Sequence, residues 1–121
     1  MIEPAYLVGA GAVVGALSRY ETNRLLHAWL GDSAFPAGTF TVNVIGSFIL
    51  GFVTFLGVGD AVLYAVGTGA CGSYTTFSSF SVDTVQLWEE GRRALSVLYA
   101  SVNLGGALAA IGLAWVLVSG F

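Results

Sequence analysis

Thr39 and Asn43 stand four residues apart, and Tyr99 and Asn103 repeat that spacing, so on a helix each pair shares a face. Phe77 and Phe80, three apart, share another, flanked by Thr75, Thr76, Ser78 and Ser79. Hydroxyl and amide NH₂ groups donate hydrogen bonds. A phenylalanine ring carries a partly positive edge. Such a set can line a narrow anion path without a fixed cation. A small anion entering a dry interior loses tens of kcal/mol of solvation, on the order of a Born energy, unless replacements are supplied. A buried Lys or Arg would supply them but hold the ion. Conduction needs sites that admit an ion and also release it, and neutral donors with ring edges meet both demands. The rival reading of Phe at helical spacing is ordinary packing.

Other chemistries find little support. His27 and Cys71 are the only residues of their types. No Ser/His/Asp set or metal-ligand spacing can be built around them, so no enzyme is expected. Cys71 reads as a small apolar filler between helices, and His27 as an interfacial residue. A proton-coupled exporter needs an ionisable group within the membrane. The stretch from Ala5 to Leu17 offers only Tyr6. Asp83 is the best candidate elsewhere, and its plainer role is a carboxylate near a helix end. The four basic residues, Arg19, Arg24, Arg92 and Arg93, form no basic patch with interleaved aromatics, so nucleic acid is not an expected partner.

The elements that must position these residues follow from composition. The 121-residue chain is 56% hydrophobic and 9% charged, with a mean hydropathy of +0.84. Soluble domains carry about 25% charged residues. So few charges cannot coat a small soluble domain, and a lipid-facing exterior resolves the conflict. The expectation is one all-α membrane domain. Its four apolar stretches, about 5–30, 38–56, 61–88 and 94–119, are each near the ~20 residues that cross a bilayer. The start, Met1-Ile2-Glu3-Pro4, lacks the positive region of a signal peptide, so the first stretch reads as a retained span. The acidic balance without lysine fits a high-salt environment.

The third stretch is unusual. Gly67, Gly69 and Gly72 weaken a helix by roughly 1 kcal/mol each, and hydroxyls follow almost continuously to Ser81. Irregular backbone at membrane depth is tolerated only in a protein interior or along a cavity. A helix break near Gly72 to Thr76, turned inward, is therefore predicted. The alternative is a continuous helix whose hydroxyls bond back to the preceding turn. Gly11 and Gly15, the series Asn43, Ser47 and Gly51, and Gly105, Gly106 and Gly112 mark sites of close helix approach. Four such helices make a thin bundle, so polar interior residues point to a dimer with function at its interface. Arginine bias places the loops at 31–36 and 89–93 in the cytoplasm and both termini outside.

Four segments resemble the Fluc/CrcB fluoride channel family over nearly the whole chain. They are Gly15-Ala16-Leu17-Ser18-Arg19-Tyr20, Gly38-Thr39-Phe40-Thr41-Val42-Asn43 with Gly46-Ser47-Phe48 and Gly51, the run from Gly69 to Phe80, and Asn103 with Gly106. The resemblance implies passive, fluoride-specific conduction that lowers cytoplasmic fluoride, in a multi-pass cell-membrane protein. It implies an antiparallel, dual-topology dimer with two pores. It also implies a central sodium ion at the dimer interface, structural and not transported. Its ligands would be the backbone carbonyls of Gly72 and Thr75, with the Thr75 hydroxyl as the local alternative. Phe77, Phe80, Asn43 and Thr39 correspond to pore-lining residues, Tyr99 to an aromatic neighbour, and Arg19 to a vestibule arginine. Asn103 and Ala107 stand where some members carry serines. The arginine bias here is three or four to none, whereas a chain inserted both ways needs almost no bias. The partner is therefore either a second copy or an oppositely biased homologue. A small multidrug-type proton-coupled exporter and a non-transporting assembly subunit are the alternatives.

Overall fold

The computed structural model describes residues 2–120, all of whose regular structure is helical. Helix α1, Pro4–Leu30, starts with proline in its first turn, where the missing N–H costs nothing. It ends at Gly31, whose φ of 64° lets its N–H turn back to the His27 carbonyl. Helix α2 is Ala37–Phe55. Helix α3 (residues 60–74) is composite: an α turn at Asp60–Val62, a π-helical stretch at Leu63–Cys71, and another α turn at Gly72–Tyr74. Thr75 (φ −80°, ψ 160°) and Thr76 (φ −151°, ψ 117°) are extended. Helix α4, Phe77–Glu89, follows them, and α5 is Arg93–Ser119.

Apolar surface is distributed the opposite way from a soluble bundle. Val13, Val14 and Leu17 on α1, Ile45 and Ile49 on α2, Val82 and Val85 on α4, and Leu104, Leu108 and Leu113 on α5 are all exposed. Ser96 and Asn103 are buried. Helices α2 and α5 are each long and apolar enough to cross a membrane. The polar second half of α1 and the interruption after α3 keep those two from meeting the same measure.

Glycine does the packing between α1 and α3. A Cβ on Gly11 would fall on the Ala65 carbonyl oxygen and 2.8 Å from its carbon. One on Gly15 would strike the Ala70 carbonyl, and one on Gly69 would lie 2.5 Å from the Val8 carbonyl oxygen. Backbone therefore meets backbone along this seam, the contact that small residues permit in apolar surroundings. Gly67 and Gly69 are buried within the π-helical stretch. By propensity these glycines weaken a helix, but in the fold Gly69 is where α1 rests, and Gly67 faces Leu50 of α2. Gly11→Ala should push the two helices apart and cost about 1–3 kcal/mol, the usual range for overpacking. Thermal melting in detergent checks this, and an unchanged midpoint would contradict the backbone contact.

The seam between α2 and α5 uses the same device more loosely. Gly106 sits under Phe40 and Val44, and Gly51 under Ile111 and Ala114. Val42, Tyr99 and Ala114 are fully enclosed. This second seam brings the faces carrying Asn43 and Asn103 together.

Candidate functional site

The site begins where the helical backbone stops. Every buried main-chain N–H and C=O needs a partner, and two extended residues between helices cannot use the helix ladder. Asn43 of α2 supplies the substitute. Its Oδ1 accepts from the Thr76 N–H at 2.8 Å, and its Nδ2 donates to the Thr76 carbonyl at 3.1 Å. One side-chain amide thus completes both main-chain groups of one residue. The threonines finish the ends. Thr75 Oγ1 donates to the Cys71 carbonyl at 2.9 Å. Thr76 Oγ1 caps α4 by accepting from the Ser79 N–H at 3.0 Å.

Helix α1 holds the other side. Ser73 Oγ donates to the Ala12 carbonyl at 2.7 Å, and Thr22 and Tyr74 share a hydrogen bond at 3.0 Å. Arg19, read as a vestibule residue, reaches the Thr75 carbonyl with its guanidinium at 3.4 Å. Much of the hydroxyl-rich run is therefore structural: it fastens the interruption to its neighbours.

A groove of about 570 Å³ opens beside this interruption. Asn43, Thr75, Thr76, Phe77, Phe80 and Asn103 line it, with Gly72 at its edge, and no lining residue carries a charge. The Phe77 and Phe80 ring centroids are 5.8 Å apart, and Phe80 lies 5.6 Å from the Tyr99 ring. Phe77 is 79% exposed, so the groove is open on that side. Asn103 is deeply buried and accepts at Oδ1 from Asn43 Nδ2 at 3.1 Å.

Thr39 and Tyr99 stand elsewhere. Both hydroxyls donate to the same oxygen of Asp83, Thr39 at 2.9 Å and Tyr99 at 3.1 Å. By spacing alone these hydroxyls belong with the two asparagines as donors along one path. In the structure they are committed to a carboxylate one turn beyond Phe80. Asp83 was singled out only as a proton carrier or helix-end acid. The available signal was its position three residues after Phe80, which places both on one face of α4. Two cavities of about 390 and 350 Å³ meet at Asp83 and are bordered by His27 and the loop at 31–36. Phe35 of that loop sets its ring edge-on to Tyr99, 5.4 Å between centroids, and to Phe40, 5.8 Å.

Among the described residues no three His, Cys, Asp or Glu side chains converge on a point. The groove offers amide, hydroxyl and ring-edge contacts, which suit an anion too small and too strongly hydrated to leave water without replacement ligands.

Comparison with known proteins gives one consistent result. The family described as "CrcB-like protein, Camphor Resistance (CrcB)" matches residues 6–115. The chain is 57% identical over 118 residues to the fluoride-specific ion channel FluC 2 of Haloarcula marismortui, covering 97% of this chain and 95% of that one. It is 44% identical over 116 residues to FluC 1 of Halobacterium salinarum, covering 96% and 94%. FluC 2 of Listeria innocua is 41% identical over 106 residues, covering 84% and 79%.

Proposed function

The chain belongs to the CrcB family, and from that premise we propose that it is a fluoride-specific ion channel that lets fluoride leave the cytoplasm passively and so limits its toxicity. The observation that carries this reading is the uncharged groove, which Phe77 and Phe80 line together with two linked asparagines. Fluoride would pass along Phe77, Phe80, Asn43 and Asn103. The Asp83 carboxylate, with Thr39 and Tyr99 on it, would stand beyond Phe80, and Arg19 near the opposite approach. The helices would cross the cell membrane four times, with the interruption at Thr75 and Thr76 at mid-depth. There its polar backbone is tolerable only because protein and cavity surround it.

A second subunit in the antiparallel orientation would cover the open side of the groove, where Phe77 is exposed. The break also suits a structural cation at that interface. The Thr76 N–H goes to Asn43, so the helix ladder does not claim the Gly72 carbonyl four residues earlier. The Thr75 carbonyl accepts only the long contact from Arg19, and a carbonyl has two lone pairs. Gly72 and Thr75 are thus the oxygens that would hold sodium. A hard cation there would neutralise the dipoles of these two carbonyls.

The test is efflux from liposomes holding the purified protein, read with a fluoride electrode. Fluoride should leave quickly, with no dependence on a proton gradient, while chloride barely moves. Gradient-dependent flux would indicate a proton-coupled exporter, and no flux an assembly subunit. Terminal tags labelled in the same vesicles address the partner. Labelling from one side only supports pairing with an oppositely biased homologue, and labelling from both sides supports a dual-topology homodimer.

A further inference from the structure

We propose that His27 is a pH-sensitive regulator of conduction: its protonation makes the mouth beside the loop at 31–36 less negative, so that fluoride flux rises as the pH falls. This rests on the channel reading above and adds to it a control that lies outside the groove.

The local structure follows from the way α1 ends. His27 stands in the last turn of that helix, and Gly31, with its φ of 64°, returns its N–H to the His27 carbonyl. Asp32 follows directly, and its Oδ1 lies 3.9 Å from the imidazole Nε2. Both side chains are exposed. A cation in the last turn of a helix is favoured by the carbonyls left open there, and the carboxylate adds its own attraction. Neither acts on a neutral ring. Histidine is the side chain that changes charge between about pH 5 and 8, so mild acid gives this corner a positive charge.

That charge arrives where a passing anion would feel it. His27 lines both of the cavities that meet at Asp83. The loop faces it with Asp32, α4 with Asp83 and Glu90, and the residue before α5 is Arg92. The start of α2 contributes only the uncharged Ala37, Gly38 and Thr39. On α1 itself, Arg24 is held by Glu21 at 2.7 Å, and the two cancel. With His27 neutral, three carboxylates therefore stand against one guanidinium. Such a surplus of negative charge opposes the approach of an anion, and protonation of His27 halves it. A unit charge about 10 Å from an ion in water changes its local concentration roughly twofold. The device is thus a modulator and not a gate. Because the cavities are open to water, salt should weaken it.

The test is fluoride efflux from liposomes of neutral lipid at low ionic strength, with the same pH on both faces of the membrane. Hydrogen fluoride crosses lipid unaided, so the rate from protein-free vesicles is subtracted at each pH. Between pH 8 and pH 5.5 the flux should rise about two- to threefold, and the rise should shrink in high salt. His27→Gln should keep the rate seen at pH 8 and lose the rise. His27→Arg should conduct at the raised rate at every pH, and Asp32→Asn should lift the rate at pH 8 by removing one of the acids. A flux that ignores pH in the unaltered protein, or a rise that persists in His27→Gln, would overturn the assignment and leave the channel intact. Absence of flux at every pH would instead overturn the channel reading itself.

Discussion

Replacing Phe80 with isoleucine should slow fluoride flux by roughly 100-fold, and replacing Phe77 should do the same, while the protein still inserts and pairs. Phe80 stands between two rings, 5.8 Å from Phe77 and 5.6 Å from Tyr99, along a groove without charges. Isoleucine is apolar and of roughly similar bulk, so the packing cost stays under ~1.5 kcal/mol. What disappears is the ordered charge distribution of the ring. An aliphatic side chain has no positive edge to set against an anion. If two edge contacts together lower the barrier by about 3 kcal/mol, their loss slows passage by roughly 100-fold. Phe77 gives the cleaner case. Its side chain is largely exposed within one chain, so its replacement hardly touches the subunit's own core. Liposome efflux measures the loss, and size-exclusion chromatography shows that assembly survives. Wild-type flux in both variants would remove the rings from the mechanism.

How far such a site can be read from sequence depends on which contacts are local. The helices were legible because apolar runs and the Gly31–Pro36 and Glu89–Arg93 segments punctuate the chain plainly. The face shared by Phe77 and Phe80 was legible for the same reason, since helical spacing fixes it. Contacts between helices were not. Nothing in the spacing of Thr39 or Tyr99 shows that both donate to Asp83, which lies 44 residues from one and 16 from the other. Asn43 was visible as a polar residue in an apolar helix, but its bond to a main chain 33 residues away was not. The glycines were seen and partly misjudged. Gly11 and Gly15 were legible as close-approach sites, whereas propensity registers only the cost of Gly69 to an isolated helix and not the α1 backbone that lies against it. The π-helical course of Leu63–Cys71 has no signature in composition.

The bracket formed by Asn43 makes a second large effect calculable. In Asn43→Asp one carboxylate oxygen can still accept from the Thr76 N–H. The other replaces an NH₂ that donated to the Thr76 carbonyl and to Asn103 Oδ1, both at 3.1 Å. Two hydrogen bonds become two contacts between oxygens. The protein has two ways to relieve them, and each harms conduction. The introduced carboxyl can take up a proton, because desolvation and neighbouring oxygens both disfavour its charge. It then satisfies one oxygen and leaves the other unpaired. Alternatively, Asn103 can reverse its amide and donate to the carboxylate, which leaves the Thr76 carbonyl facing a carboxylate oxygen. Either way a buried group is left short, at about 1–3 kcal/mol. If the charge persists, it also repels an entering anion. The expected result is a melting midpoint lowered by several degrees in detergent and a fluoride flux reduced by ~100-fold or more. Conduction should recover only partly in acid, where the carboxyl is neutral. A variant that melts and conducts like the unaltered protein would show that Thr76 does not depend on this amide, and the role assigned to Asn43 would have to be abandoned.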